Sequence, residues 1–282
     1  MPAPPIRPAL VLLSLFHLGA CADSDKKLES QTDVILERNL VEYSRQPKIA
    51  DIEWRQPKEI VKGNYTDRFE LRPDHFPAPD ALTAAIEYSR SQQGRGLMVW
   101  FDGALVASDF SDDLGPAVHT ASYSMHKSVV AIVVMQAVEA GVFESIDDPV
   151  GRYLVAWRDD PRGQTTLQQL LTHTSGLAHH SLDGTPNKAR DLLLSSRIRE
   201  TALSHKQPDV AGKTFSYNNV NHQIIGLALE DALHERGQRY AEFLSKNLWQ
   251  PLGNRDAAVW IEKPGGTARF ANSLEAGLED WL

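Results

Sequence analysis

The chain has 282 residues, of which 42% are hydrophobic and 23% charged, and a single cysteine. That length holds one large domain or two modest ones, and such ordinary usage excludes a wholly disordered or fibrous protein. The formal net charge is −8 and no basic block is long enough to track a phosphate backbone, so nucleic acid is excluded as an expected partner. A lone cysteine excludes an internal disulfide framework and any multi-cysteine zinc or iron–sulfur site.

Residues 1–20 read as a secretory signal. A single positive charge at Arg7 is followed by an apolar run from Ala9 to Leu18 and by the small residues Gly19 and Ala20. The run is shorter than the ~20 residues that span a bilayer. Leu18-Gly19-Ala20-Cys21 resembles the bacterial lipobox, in which cleavage leaves the cysteine as a lipid-bearing N-terminus. That resemblance implies lipidation at Cys21 and a location in the bacterial cell envelope, and Ala22 at the next position favours the outer over the inner membrane. Residues 21–75 are expected to be a tether and N-terminal extension, polar and charged at Asp23 to Lys27. Residues 76–282 are expected to form the folded domain.

Within that domain Asp80, after Pro73, Pro77 and Pro79, is the expected N-cap of a helix over Ala81 to Ser91. Leu97 to Phe101 and Ala104 to Ala107, joined by Asp102-Gly103, predict a hairpin. Val129 to Val138 has no breaker until Gly141 and predicts a buried helix. Ser145 to Trp157 reads as a loop with a short turn. Thr166 is the expected cap of a helix through Leu167, Leu170 and Leu171, ending at Ser175-Gly176. Further helices are expected over Asp191 to Leu203, Val220 to Leu233 and Tyr240 to Leu248. Strand and helix do not alternate, which disfavours a parallel doubly wound sheet.

Several signatures fail. Gly212-Lys213-Thr214 lacks the first glycine of a phosphate loop, where Gln207 stands, and reads as a turn. His234-Glu235 lacks the second histidine of a zinc-protease helix, where Gln238 stands. No Gly-x-Ser-x-Gly occurs. His173, His179 and His180 lack the spacing of a metal site and are expected as surface or capping residues. No metal or organic cofactor is implied.

The signal that survives is Ser124-Met125-His126-Lys127. Ser24 to Lys27 in the tether matches the same Ser-x-x-Lys, so context decides. Ser124 directly precedes the buried helix, and Lys127 falls one turn on, on the same face. A helix end offers positive potential to a developing oxyanion, and a buried amine can take the serine proton. A capping serine beside a solvated lysine is the plainer alternative for this motif alone. A second element is Tyr217-Asn218-Asn219, where a tight turn can present a phenol and an amide on one edge. There the plainer alternative is that Asn219 caps the next helix.

Five segments occur in the order found in the serine beta-lactamase-related family. They are Ser124 to Ser128, Gly141 to Val150, Leu170 to Leu177, Phe215 to Asn219 and Pro251-Leu252-Gly253. The chain resembles that family from about Gly96 to Leu282, and Ser-Met-x-Lys-Ser resembles the 6-aminohexanoate-dimer hydrolases within it. The resemblance implies an α+β fold of the beta-lactamase/transpeptidase type, with an antiparallel sheet domain packed on a helical domain. It implies a serine hydrolase of amide or ester bonds, with Ser124 as acylated nucleophile, Lys127 as its base partner, Tyr217 as proton shuttle and Asn219 as the amide that holds the lysine. It also implies a small-molecule amide or ester substrate, with peptidoglycan a further candidate partner.

The family's third motif, Lys or His followed by a small residue and Gly on a strand facing the serine, is not found. Lys263-Pro264-Gly265 comes nearest, and proline does not suit a central strand. Glu275 to Leu282 resembles the start of the helix that precedes that motif, so the domain is expected to lack its C-terminal strands. On that expectation this polypeptide is nearly inactive, and a non-catalytic envelope binding protein of the same fold, or an inactive truncated product, is the alternative. Trp157, Trp249 and Trp260 are expected as packing residues, with pocket lining as the second use.

Overall fold

The computed structural model describes residues 33–45, 51–180 and 188–282. In chain order the elements are α1 (Val34–Ser44), β1 (Lys58–Val61), α2 (Pro79–Ser91), β2 (Gly96–Phe101), β3 (Ala104–Phe110), β4 (Thr120–Ala121), α3 (His126–Glu139), α4 (Leu167–Leu171), α5 (Lys188–Leu194), α6 (Ile198–Leu203), α7 (Asn219–His234), α8 (Tyr240–Leu244), β5 (Ala257–Trp260) and β6 (Leu274–Ala276). Single 3₁₀ turns fill Tyr123–Met125 and several connections.

Four strands form an antiparallel sheet in the order β1-β5-β6-β4. Every residue of β5 and β6 is buried, as befits interior strands covered on both faces. The hairpin of β2 and β3 is a separate two-stranded sheet. Its turn places Asp102 and Gly103 at φ 44° and 79°, the left-handed pair that an Asp-Gly hairpin requires. The helical layer and antiparallel sheets give the expected α+β architecture.

The main core lies between α3, α7 and the four-stranded sheet. Val130, Val133, Val134 and Ala137 of α3 are almost fully buried against Ile224, Leu227 and Ala228 of α7. Valine disfavours an isolated helix, so α3 owes its stability to this packing. Lys127, Val130 and Val134 share one stripe at helical spacing, and Lys127 is therefore carried into the interior by its helix.

Four expectations need correction. The described part of the tether is built into the body: α1 buries Asn39, whose amide donates to the Leu194 carbonyl at 2.7 Å, and β1 pairs with β5 from Lys58↔Trp260 to Val61↔Ala257. Polar composition concealed this, because one buried asparagine and four strand residues suffice to anchor it. Asp80 is not a cap; α2 starts at Pro79, whose fixed φ suits the first helical position, with Ala78 before it. Asp191 to Leu203 divides into α5 and α6 at Ser195-Ser196-Arg197, and the segment after Leu244 winds as a π-helical turn over Ser245–Trp249. Glu275 to Leu282 starts in β6, where Glu275 opposes Ala258 and Ala121, and ends in a 3₁₀ turn over Leu278–Trp281. Among the described residues no helix is long and apolar enough to cross a membrane.

Candidate active site

The segment before α3 begins with β4, whose pairing with β6 fixes Thr120 and Ala121. Tyr123 then adopts φ 46°, a left-handed conformation that costs a bulky residue on the order of 1 kcal/mol or more. The strained residue turns the chain so that Ser124 is exposed at the start of α3. His126, next to it, is fully buried and bonded to the Tyr240 hydroxyl at 3.1 Å. The helix start is thereby fastened to the core while its serine faces outward.

Lys127 is 5% exposed. Its Nζ donates to Ser124 Oγ at 2.9 Å and to the Ala271 carbonyl at 2.9 Å. Among the described residues no carboxylate pairs with it. Burial without a counter-charge holds the amine below the ordinary lysine range, opposed in part by its interaction with Tyr217. An amine that loses its proton keeps a hydrogen for the Ala271 carbonyl and turns its lone pair to the serine hydroxyl. That is the geometry of a general base.

The Tyr217 phenol interacts with both Ser124 and Lys127, and the amine lies 5.1 Å from the ring centre. Burial alone would raise the phenol's pKa, but its interactions with Ser124 and Lys127 outweigh that and lower it. The three side chains expected from two distant motifs thus meet at one point.

Asn219 lies elsewhere. Asn218, not Asn219, occupies the N-cap of α7, accepting from Asn221 N–H at 3.1 Å. Asn219 falls in the first helical turn, half-buried, and lines a small cavity of about 70 Å³ with His179, His180 and His205. The two acceptors of the lysine amine are Ser124 Oγ and the Ala271 carbonyl, and Asn219 is not among its contacts.

A residue discounted in the sequence supports the site. His173, expected at the surface or as a cap, is 8% exposed and stacks 4.6 Å from the Tyr217 ring and 4.9 Å from His222. Its carbonyl accepts from Ser216 N–H at 2.8 Å, which ties down the turn carrying Tyr217. Its Nδ1 is approached by the Asn218 N–H at 3.4 Å and the Asn221 amide at 3.1 Å, so Nδ1 is the acceptor and the neutral ring bears its proton on Nε2. Burial and then the Lys127 charge lower its pKa, in keeping with a neutral ring. Its own φ of 57° was the available signal, though only the fold displays it.

Among the described residues, no group of three or more His, Cys, Asp or Glu side chains is placed to hold a metal ion. The beta-lactamase family model matches residues 89–276, about two-thirds of the chain. The chain belongs to the beta-lactamase family. It is 32% identical over 158 residues to esterase EstB of Burkholderia gladioli, covering 52% of this chain and 39% of that one. It is 26% identical over 132 residues to protein flp of Staphylococcus aureus, covering 45% of this chain and 25% of that one. The chain thus spans well under half the length of these curated relatives. Among solved structures, a Bacillus anthracis protein named after the 6-aminohexanoate-dimer hydrolases superposes with a TM-score of 0.66 at 16% identity, covering 88% of this chain and 68% of the other. A penicillin-binding protein homologue from Pyrococcus abyssi gives 0.55 at 20% identity, covering 73% and 55%. At such identities these two structures speak for the fold. The relatives are hydrolases of the beta-lactamase family.

Proposed function

We propose that this chain is a serine hydrolase that cleaves amide or ester bonds through a Ser124 acyl-enzyme. The observation that carries the reading is the buried Lys127 amine, 2.9 Å from Ser124 Oγ and, among the described residues, without a carboxylate partner. In this scheme neutral Lys127 takes the Ser124 proton as Oγ bonds to the substrate carbonyl carbon. The Ser124 backbone N–H is assigned as an oxyanion donor. Tyr217 gives a proton to the departing amine or alkoxide and recovers it from Lys127. Water then attacks the acyl carbon, passing its proton back through the same pair, and Ser124 is restored. The similarity to an esterase supports ester substrates. Small amides and esters, peptidoglycan among the amides, are the substrate class proposed.

The test is a fluorophosphonate probe and a chromogenic ester applied to the full chain. Wild type is expected to label at Ser124 and turn over the ester, and Ser124→Ala to lose both, with turnover down at least roughly 10³-fold. Equal labelling of Ser124→Ala refutes the assignment. Tight ligand binding by wild type with neither labelling nor turnover favours a non-catalytic binding role.

Cys21 lies outside the described residues, and its lipidation remains a proposal from the sequence alone. A full chain expressed in a bacterium with labelled palmitate should carry label in the membrane fraction. Cys21→Ser should carry none, and an unchanged signal rejects the anchor.

A further inference from the structure

The structure contains a cavity of about 220 Å³. Two of its lining residues are sequence neighbours of the site: Tyr123 precedes Ser124, and Asn272 follows Ala271, whose carbonyl holds Lys127. Its walls are largely apolar and aromatic, including Trp54, Trp260 and Leu193. The volume equals roughly seven waters at ~30 Å³ each. It is smaller than the ~300 Å³ at which drug-sized pockets begin, so it suits one limb of a substrate.

Within this apolar lining stands Arg55, 3% exposed. Its guanidinium is stacked by three rings, at 5.4 Å from Trp54, 5.1 Å from Tyr123 and 5.4 Å from Trp260. Its Nη1 comes no nearer than 3.7 Å to Glu275 Oε1, too far for a hydrogen bond, and neither Nε nor Nη1 has a hydrogen-bond acceptor. Trp54 Nε1 and Asn272 Oδ1 are also buried without partners. Buried polar atoms left unpaired are costly, more so when charged, and three such donors and one such acceptor belong to residues lining one cavity. Glu275 does not neutralise the site, because it pairs with Lys58 at 2.7 Å and so answers two cations with one charge. Burial raises Glu275 to about 6, which leaves it mostly ionised at neutral pH. The other cation in the lining, Arg190, lies 3.1 Å from Asp191.

We propose that this cavity is the acyl subsite, and that it takes an apolar acyl chain ending in a carboxylate held by Arg55. The apolar walls cover the chain, and the guanidinium supplies the donors that the carboxylate accepts. The word acyl rests on the hydrolase reading above; the anion site does not.

The test titrates hexanoate and 1-hexanol into the full chain by isothermal calorimetry, with tryptophan fluorescence as a second readout because two indoles form the walls. Wild type is expected to bind hexanoate at least tenfold more tightly than hexanol, and Arg55→Gln to erase that preference while leaving hexanol binding unchanged. Equal binding of the two ligands by wild type, or a preserved preference in Arg55→Gln, overturns the proposal. Leu193→Trp fills the cavity without touching Arg55 and should abolish hexanoate binding; unchanged binding also overturns it. Ser124→Ala should bind hexanoate as wild type does. Hexanoate binding by a chain that no fluorophosphonate labels would therefore sink the hydrolase reading and leave the anion site standing. For the acyl assignment, 4-nitrophenyl hydrogen adipate should exceed 4-nitrophenyl hexanoate in kcat/KM at least tenfold, and Arg55→Gln should level them. Equal rates in wild type remove the acyl assignment.

Discussion

The α3–α7 half and the β2–β3 hairpin bury their side chains to very different degrees. In the first, helices and the four-stranded sheet enclose one continuous cluster, and α7 is buried on nearly every side from Val220 to Leu229. In the second, Leu82, Ala104, Val106 and Ala107 form a small separate cluster, while Trp100 and Phe101 of β2 are 43% and 37% exposed. The side chains proposed to react stand on the first half. A buried amine with a lowered pKa needs a rigid, water-poor surround, which a dense core supplies and a two-stranded sheet does not.

That contrast can be broken at several points. The largest expected effect is on chemistry. Tyr217→Phe should lower kcat by about 10²–10⁴-fold if the phenol relays the proton. Tyr217 raises the Lys127 pKa, so its removal lowers it further. The ascending limb of the kcat/KM profile, where the amine loses its proton, lies below the ordinary lysine value of 10.5 in wild type and should move to lower pH in the variant. A limb that stays in place would separate the phenol from the amine.

Gly226→Ala tests the core beneath the site. A Cβ there would stand 2.1 Å from the Phe270 ring, which packs on Tyr240 at 4.6 Å and directly precedes Ala271. Overpacking of this kind costs about 1–3 kcal/mol, and displacement of Ala271 should lower kcat as well as the denaturation midpoint. Stability lost with kcat intact would show that the Ala271 carbonyl is not a positioning group for Lys127.

The smallest effect belongs to the hairpin. Val99→Ala, half-buried in β2 beside a register shift at Val99/Trp100, should cost about 1 kcal/mol and leave kcat/KM unchanged, as read by urea unfolding and ester hydrolysis. A parallel fall in activity would mean that the hairpin supports the site after all.

Local order carried much of this into the sequence. Ser124 and Lys127 meet because residues three apart share a helix face, and the apolar run of Val129 to Val138 marked that helix as buried. Asp102-Gly103 marked its turn because only two left-handed residues close such a hairpin. Tyr217 was legible as a phenol on a turn. Its neighbour Asn219 was harder to place, because a cap at Asn218 instead of one residue later moves Asn219 into the helix.

The rest depends on residues far apart in the chain. The Ala271 carbonyl is 144 residues from Lys127, and a backbone carbonyl has no residue type that could betray it. His173 supports Tyr217 only because α4 and α7 pack together. Arg55 reaches the cavity only because β1, three residues further on, is drawn into the sheet by β5. By itself the sequence determined the Ser124–Lys127 pair, its helix and the turn that brings the phenol, all set by spacing within a few residues. The tertiary structure alone decided what holds the amine, what underlies the phenol and where a buried guanidinium lines an apolar cavity, because burial and long-range contact set each of these.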